Sequence, residues 1–178
     1  MKIQKILVSF ASVAGLVACA TAERAAEPTP PTITLEEARE FQNGVLLDLA
    51  EYLPDGSVVG GFEAPIPKMH GMTCDWARGS LASPASGVFL PGGYDLKVSS
   101  DVDLDKVREE IRLAYVNQGW EALWEEPGEY QDLNLASPDG YEFFLGVRVV
   151  DSETSEFVMS SFSPCLKAPE GFTLFDEY

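Results

Sequence analysis

The sequence predicts an α+β fold: an antiparallel β-sheet with two helices packed on one face, preceded by a signal peptide and a flexible tether. Three observations predict it. Two stretches place apolar residues at helical spacing behind a capping residue. Several short segments between Tyr94 and Phe162 alternate apolar and polar residues with a period of two. The first 19 residues read as an export signal ending in a cysteine.

Lys2 and Lys5 form a charged start, and Ile6–Leu16 is apolar except for Ser9 and Ser12. That run has secretory length and is too short to span a bilayer as a helix. Leu16-Val17-Ala18-Cys19 follows, with a small residue before the cysteine. It reads as a lipobox, where the signal peptide is cut and the new N-terminal cysteine is lipidated. Resemblance to bacterial lipoprotein signals implies a diacylglycerol group on Cys19 and removal of residues 1–18. Two acyl chains, at roughly 0.8 kcal/mol per buried CH₂, suffice for stable anchoring. The expected location is the outer face of the bacterial cytoplasmic membrane, with the lipid bilayer as first partner.

The 178-residue chain holds 12 Lys and Arg against 29 Asp and Glu, a formal net charge of −17. Removal of residues 1–18 takes away Lys2 and Lys5 and no acid, so ten bases face 29 acids, a net of −19. Such a surface repels DNA, RNA and anionic lipid head groups and argues against a nucleic-acid partner. Apolar residues make up 46%, which is enough for a real core and speaks against wholesale disorder.

Ala20–Thr32 is small, polar and proline-bearing, a tether reaching ~40 Å if extended. Thr34-Leu35-Glu36-Glu37 is a capping box. It predicts a helix to about Tyr52, with Ala38, Phe41, Val45, Leu49 and Tyr52 on one face and Leu53-Pro54-Asp55-Gly56 ending it. Residues 57–93 are rich in glycine and proline and read as an ordered loop, with short strands near Val58 and Val88–Leu90. Tyr94, Leu96 and Val98 then alternate with Asp95, Lys97 and Ser99, so Lys97 and Ser99 should face solvent. Asp101 or Asp103 caps a second helix over Leu104–Gln118, with Leu104, Val107, Ile111 and Ala114 as its stripe. Gly119 closes it in a left-handed cap, and Trp120 is placed to pack back on Tyr115. Strands follow at Leu123-Trp124, Leu133–Leu135, Tyr141–Val149 and Phe157–Phe162, with turns at Pro127-Gly128 and Pro138-Asp139-Gly140. The tail, 167–178, is either docked by Phe172, Leu174 and Phe175 or frayed. The chain thus divides into signal peptide (1–18), lipidated cysteine and tether (19–32), one α+β domain (33–166) and tail (167–178).

With Cys19 taken by lipid, Cys74 and Cys165 remain, an even pair in an oxidising compartment. A disulfide is expected; two free thiols or a metal pair are the alternatives, and a single histidine makes a poor zinc site. A bridge would close a loop of about 90 residues, worth ~4–5 kcal/mol in the chain-entropy description.

The lipobox, the capped helix, the mid-chain cysteine, the Gly119-Trp120 helix end, the Pro-Asp-Gly hairpin and the terminal Ser163-Pro164-Cys165 together resemble small actinobacterial LppA-like lipoproteins. The resemblance covers most of the chain after Cys19. It implies envelope localisation and a disulfide, and it supplies no site residues.

Candidate chemistry is sparse. Met69-His70-Gly71-Met72 carries soft ligands that copper(I) prefers, with packing methionines as the plainer account. Asp101, Asp103 and Asp105 mimic the start of a calcium loop, but Lys106 and Arg112 stand where a glycine and a glutamate are needed, and helix capping explains the acids better. A serine hydrolase would need His70 as base, and no G-x-S-x-G elbow exists. Neither a P-loop nor a dinucleotide fingerprint is present, so no cofactor is expected. Trp76, Trp120, Trp124, Tyr130 and Tyr141 are either core or an exposed patch for glycan or protein recognition. The expectation is a non-enzymatic envelope module binding another envelope protein or cell-wall component. The alternative is a cell-wall hydrolase working through paired carboxylates.

Overall fold

The computed structural model describes residues 33–61, 68–74, 87–124, 132–173 and 177–178. Cys19 with its signal peptide and tether, the Pro127-Gly128 turn, Trp76 and Tyr130 lie outside the described residues.

The capping box forms as the spacing predicts: Thr34 Oγ1 accepts the Glu37 N–H at 3.1 Å, and a Glu37 carboxylate oxygen accepts the Thr34 N–H at 2.8 Å. It opens α1, Leu35–Ala50. The helix stops two residues before the expected Tyr52, where the Glu51, Tyr52 and Leu53 N–H groups turn back in a tight last turn. Asp103 caps α2, Leu104–Asn117, by accepting the Lys106 N–H at 3.0 Å. Gly119 follows at φ 89°, and Trp120 returns onto Tyr115 edge-to-face at 4.8 Å.

The strands are β1 (Met72–Thr73), β2 (Val88–Phe89), β3 (Pro91–Ser99), β4 (Glu121–Trp124), β5 (Leu133–Ala136), β6 (Glu142–Val149) and β7 (Thr154–Phe162). β1 and β2 pair as a small antiparallel ribbon. The other five form one antiparallel sheet in the order β3-β7-β6-β5-β4. The last four strands make a meander, and α2 carries the chain from β3 at one edge to β4 at the other. The fold is therefore α+β with an antiparallel sheet.

Period-two alternation fixes which face meets the helices. Leu96, Val98, Phe157, Met159, Phe143, Leu145, Leu133 and Leu135 all point one way and are buried. Leu35, Ala38, Leu46 and Leu49 of α1 and Leu104, Val107 and Ile111 of α2 complete that core. Lys97 faces solvent as expected. Ser99 is half-buried instead, because Ser57 lies along the sheet edge and its carbonyl accepts the Ser99 N–H at 3.0 Å.

Phe41 also departs from expectation. It is 38% exposed, not core. The buried stripe of α1 is rotated toward Arg39 and Gln42, because Gln42 reaches polar groups on the sheet side and Arg39 packs beside it. Gln42 Nε2 donates to the Leu90 carbonyl at 2.9 Å and to Ser161 Oγ at 3.2 Å, and Arg39 Nη1 donates to Gln42 Oε1 at 3.3 Å. Gly92 makes room for them: a Cβ there would sit 2.5 Å from Ser161 Oγ and 2.8 Å from Arg39 Nη1.

The disulfide joins Cys74 to Cys165 with Cα atoms 6.0 Å apart. It binds the ribbon to the segment after β7, where Val88 and Leu166 exchange two backbone hydrogen bonds of 2.8 and 2.7 Å. Gly87 fits against the bridge at φ 99°, in a place where a Cβ would fall 2.5 Å from Cys165 Sγ. Two of the tail's aromatics dock it. Phe172 and Tyr178 stack at 6.1 Å, and Met69 and Tyr178 exchange backbone hydrogen bonds of 3.4 and 3.3 Å. Leu174 and Phe175 lie outside the described residues. No described helix is long and apolar enough to cross a membrane.

Candidate binding site

The described residues singled out for chemistry fall in separate places. Cys74 is oxidised, which takes it out of any ligand set with Met69, His70 and Met72. His70 is exposed beside Glu177, Nε2 to Oε1 3.8 Å, in an isolated bridge that pins the tail. Among the described residues no three of His, Cys, Asp and Glu come together in a group that could hold a metal ion. Asp103 is spent on the α2 cap, and Asp105 is ion-paired with the buried Arg108. Helix capping and ion pairing thus account for two of the three acids in the calcium-like run.

Among the described residues, the carboxylates with displaced pKa values all move the same way. Glu37 is held below the ordinary range by the Thr34 backbone N–H and then its hydroxyl. The Arg112 side chain lowers Glu109, and the N–H groups of Glu153 and Thr154 lower Asp151. A general acid needs the opposite displacement, upward through burial or a like-charged neighbour.

The aromatic residues divide. Trp120 packs on Tyr115 and Phe143, and Tyr141 is 3% exposed. On the sheet face away from the helices Phe162 meets Phe144 at 5.8 Å and Phe89 at 6.1 Å. Trp124 lies in β4 at the sheet edge.

One concavity among the described residues has a mainly apolar wall, and the sequence did not indicate it. Ile33, just ahead of the α1 cap, and Glu37 and Phe41 on the first turns of α1 face Asp139 and Tyr141 of the β5–β6 hairpin across a hollow of about 380 Å³. Its construction follows from local chemistry. The capping box fixes the entry angle of the chain, which leaves Ile33 37% exposed. Phe41, displaced from the core by Arg39 and Gln42, lies 4.4 Å from the Tyr141 ring. The hairpin is held by Ser137, whose N–H donates to the Tyr141 carbonyl at 2.8 Å while its hydroxyl accepts the Tyr141 N–H at 2.9 Å. Gly140 makes the turn at φ 84°. The Tyr141 phenol is pushed up, first by burial and then by the nearby Asp139 and Glu37 carboxylates. The hollow therefore has an aliphatic and aromatic floor with negative charge at its rim.

Two other concavities, one larger and one smaller, lie near α2 and are walled mainly by polar and acidic groups. One, of about 500 Å³, is lined by Asp55, Asp101, Asp103 and Glu110 among others. The other, of about 310 Å³, lies between Asp48, Glu51 and Gln118. Comparison of the chain with protein-family models, curated proteins and solved structures yields no match.

The residues missed from the sequence are Ile33, Phe41 and Asp139. Ile33 stands before the helix cap, in the position of a hydrophobic staple, and that was the available signal. Phe41 looked like core because its spacing from Ala38 and Val45 fits a helical stripe. Asp139 looked like a turn residue, which it also is.

Proposed function

We propose that this chain is a lipid-anchored envelope module of LppA-like kind that binds another envelope component and performs no covalent chemistry. One observation carries the binding reading. Two large apolar side chains, Ile33 and Phe41, stay more than a third exposed over a shaped hollow at the start of the domain. Exposed apolar surface that lines a concavity marks recognition more often than scattered exposure does. The anchoring half rests on Leu16–Cys19, and the Cys74–Cys165 bridge fits an oxidising compartment.

The anchor is tested by metabolic fatty-acid labelling with detergent phase partitioning. Cys19→Ser should abolish labelling and leave the protein in the aqueous phase; equal labelling of variant and parent would overturn the lipoprotein reading. Binding is tested in intact cells by a photocrosslinking side chain placed at Phe41, with the same group at Leu123 as control. A discrete partner captured from Phe41 and not from Leu123 is the expected outcome. Identical adduct patterns from both positions would sink the idea that this hollow is the binding surface.

A further inference from the structure

We infer that the hollow between α1 and the β5–β6 hairpin receives a lysine or arginine side chain from a basic segment of a protein partner. The inference rests on the binding-module reading and adds the chemistry of what is bound.

Three observations on the site agree. The floor is apolar, with Ile33 37% and Phe41 38% exposed and the Tyr141 ring beside Phe41 at 4.4 Å. The rim is anionic: Glu37 and Asp139 flank the floor from opposite elements, and no basic side chain stands among its described lining residues. The whole chain carries a formal charge of −17, so a cationic segment is drawn in from a distance and an anionic one is repelled.

An apolar floor with charged edges suits an amphipathic guest. The methylene stem of lysine or arginine covers apolar surface while its charged end stays at the wet edge. The cation can approach the Phe41 ring face and a rim carboxylate together. Glu37 holds its carboxylate on the Thr34 N–H, which fixes the side chain at the rim. Charge excludes the more obvious guests. A fatty acid or an anionic head group would bring its negative end against Glu37 and Asp139. A neutral acyl chain would fill the floor and leave the rim unused.

The test uses the full chain in nonionic detergent with fluorescent hexaarginine, and hexacitrulline as a neutral isostere. Binding is followed by anisotropy and located by NMR shifts at Ile33, Phe41 and Tyr141. Asp139→Asn should weaken hexaarginine binding about threefold to fivefold, the scale of an exposed ion pair. Phe41→Ala should weaken it about threefold or more. Asp55→Asn makes the same charge change beyond the far end of α1, a helix about 24 Å long by its rise, and should alter binding less than twofold.

Equal weakening by Asp55→Asn and Asp139→Asn would overturn the proposal, since net acidity alone would then hold the peptide. Equal binding of hexacitrulline would overturn it in favour of an apolar guest, and so would the absence of hexaarginine binding. The broader reading fails separately: a partner captured from Phe41 with no hexaarginine binding removes the basic guest and leaves the binding module standing.

Discussion

Arg39 is the least comfortable residue in the domain. Its side chain is 6% exposed, and among the described residues its Nε and Nη2 find no hydrogen-bond acceptor. Burial alone pulls its pKa below the ordinary arginine value. A buried guanidinium with one long hydrogen bond to Gln42 costs desolvation that its contacts do not offset. Arg39→Met keeps the stem and removes the charge, so it should stabilise the fold by roughly 1–4 kcal/mol. Gln42 differs, because its amide satisfies the buried Leu90 carbonyl and reaches Ser161. Gln42→Leu strips the carbonyl of that donor and should destabilise by about 1–3 kcal/mol. Urea unfolding of the two variants should therefore move the midpoint in opposite directions. A lower midpoint for Arg39→Met would show that the guanidinium contributes through the field of the surrounding acids.

At the scale of the element, α1 depends on its first turn. Thr34→Ala removes the side-chain half of the capping box and should cost about 0.5–2 kcal/mol, read from thermal or urea unfolding. Glu37 adds a pH dependence with a definite sign. Its folded pKa lies below the ordinary 4.5, so its contribution is present above about that pH and is lost as pH falls through the folded value. Glu37→Gln keeps an acceptor for the Thr34 N–H and does not titrate. The stability of the parent relative to Glu37→Gln should hold steady from pH 7 to 5 and decline below about 4.5; a flat difference down to pH 3 would refute the linkage. This cap was fully legible in the sequence because it is local, four residues acting on one another. So were the Gly119-Trp120 return and the alternation of Leu96 and Val98 with Lys97, while the α2 cap was legible only as Asp101 or Asp103, of which Asp103 takes the place. The rotation of the α1 stripe was not legible. It is set by Leu90 and Ser161, 48 and 119 residues away along the chain. Helical spacing alone cannot tell Phe41 from Gln42 when the partner that buries one of them is a backbone carbonyl on a distant strand. The candidate hollow was hidden for the same reason, since it exists because Phe41 was turned out of the core and the hairpin at Asp139 was brought beside it. The β1–β2 ribbon was missed on the β1 side because two residues show no period.

For the molecule as a whole, the disulfide decides how the peripheral parts stay on the sheet. The five-stranded sheet, its helices and Val88 of β2 share one continuous core, and β1 and the tail are attached beside it. Their attachment runs through the Val88–Leu166 backbone pair, the Met69–Tyr178 pair, the Phe172–Tyr178 stack and the bridge itself. Cys74 and Cys165 are 91 residues apart in sequence, so the bond removes much freedom from the unfolded chain. Cys74→Ser should lower global stability by roughly 2–5 kcal/mol. It should also act unevenly. Amide exchange should speed up first at Met72, Thr73, Val88 and Leu166, while Leu145 and Met159 in the central strands keep protection close to the new global limit. Mass spectrometry of the non-reduced protein should show the Cys74 and Cys165 peptides linked and neither thiol open to alkylation. An unchanged denaturation midpoint in Cys74→Ser would mean that the hydrophobic contacts of Val88, Leu90 and Leu166, each fully buried, hold the ribbon without covalent help. Uniform acceleration across all strands would instead make ribbon and sheet one cooperative unit, with the bridge acting solely through the unfolded state.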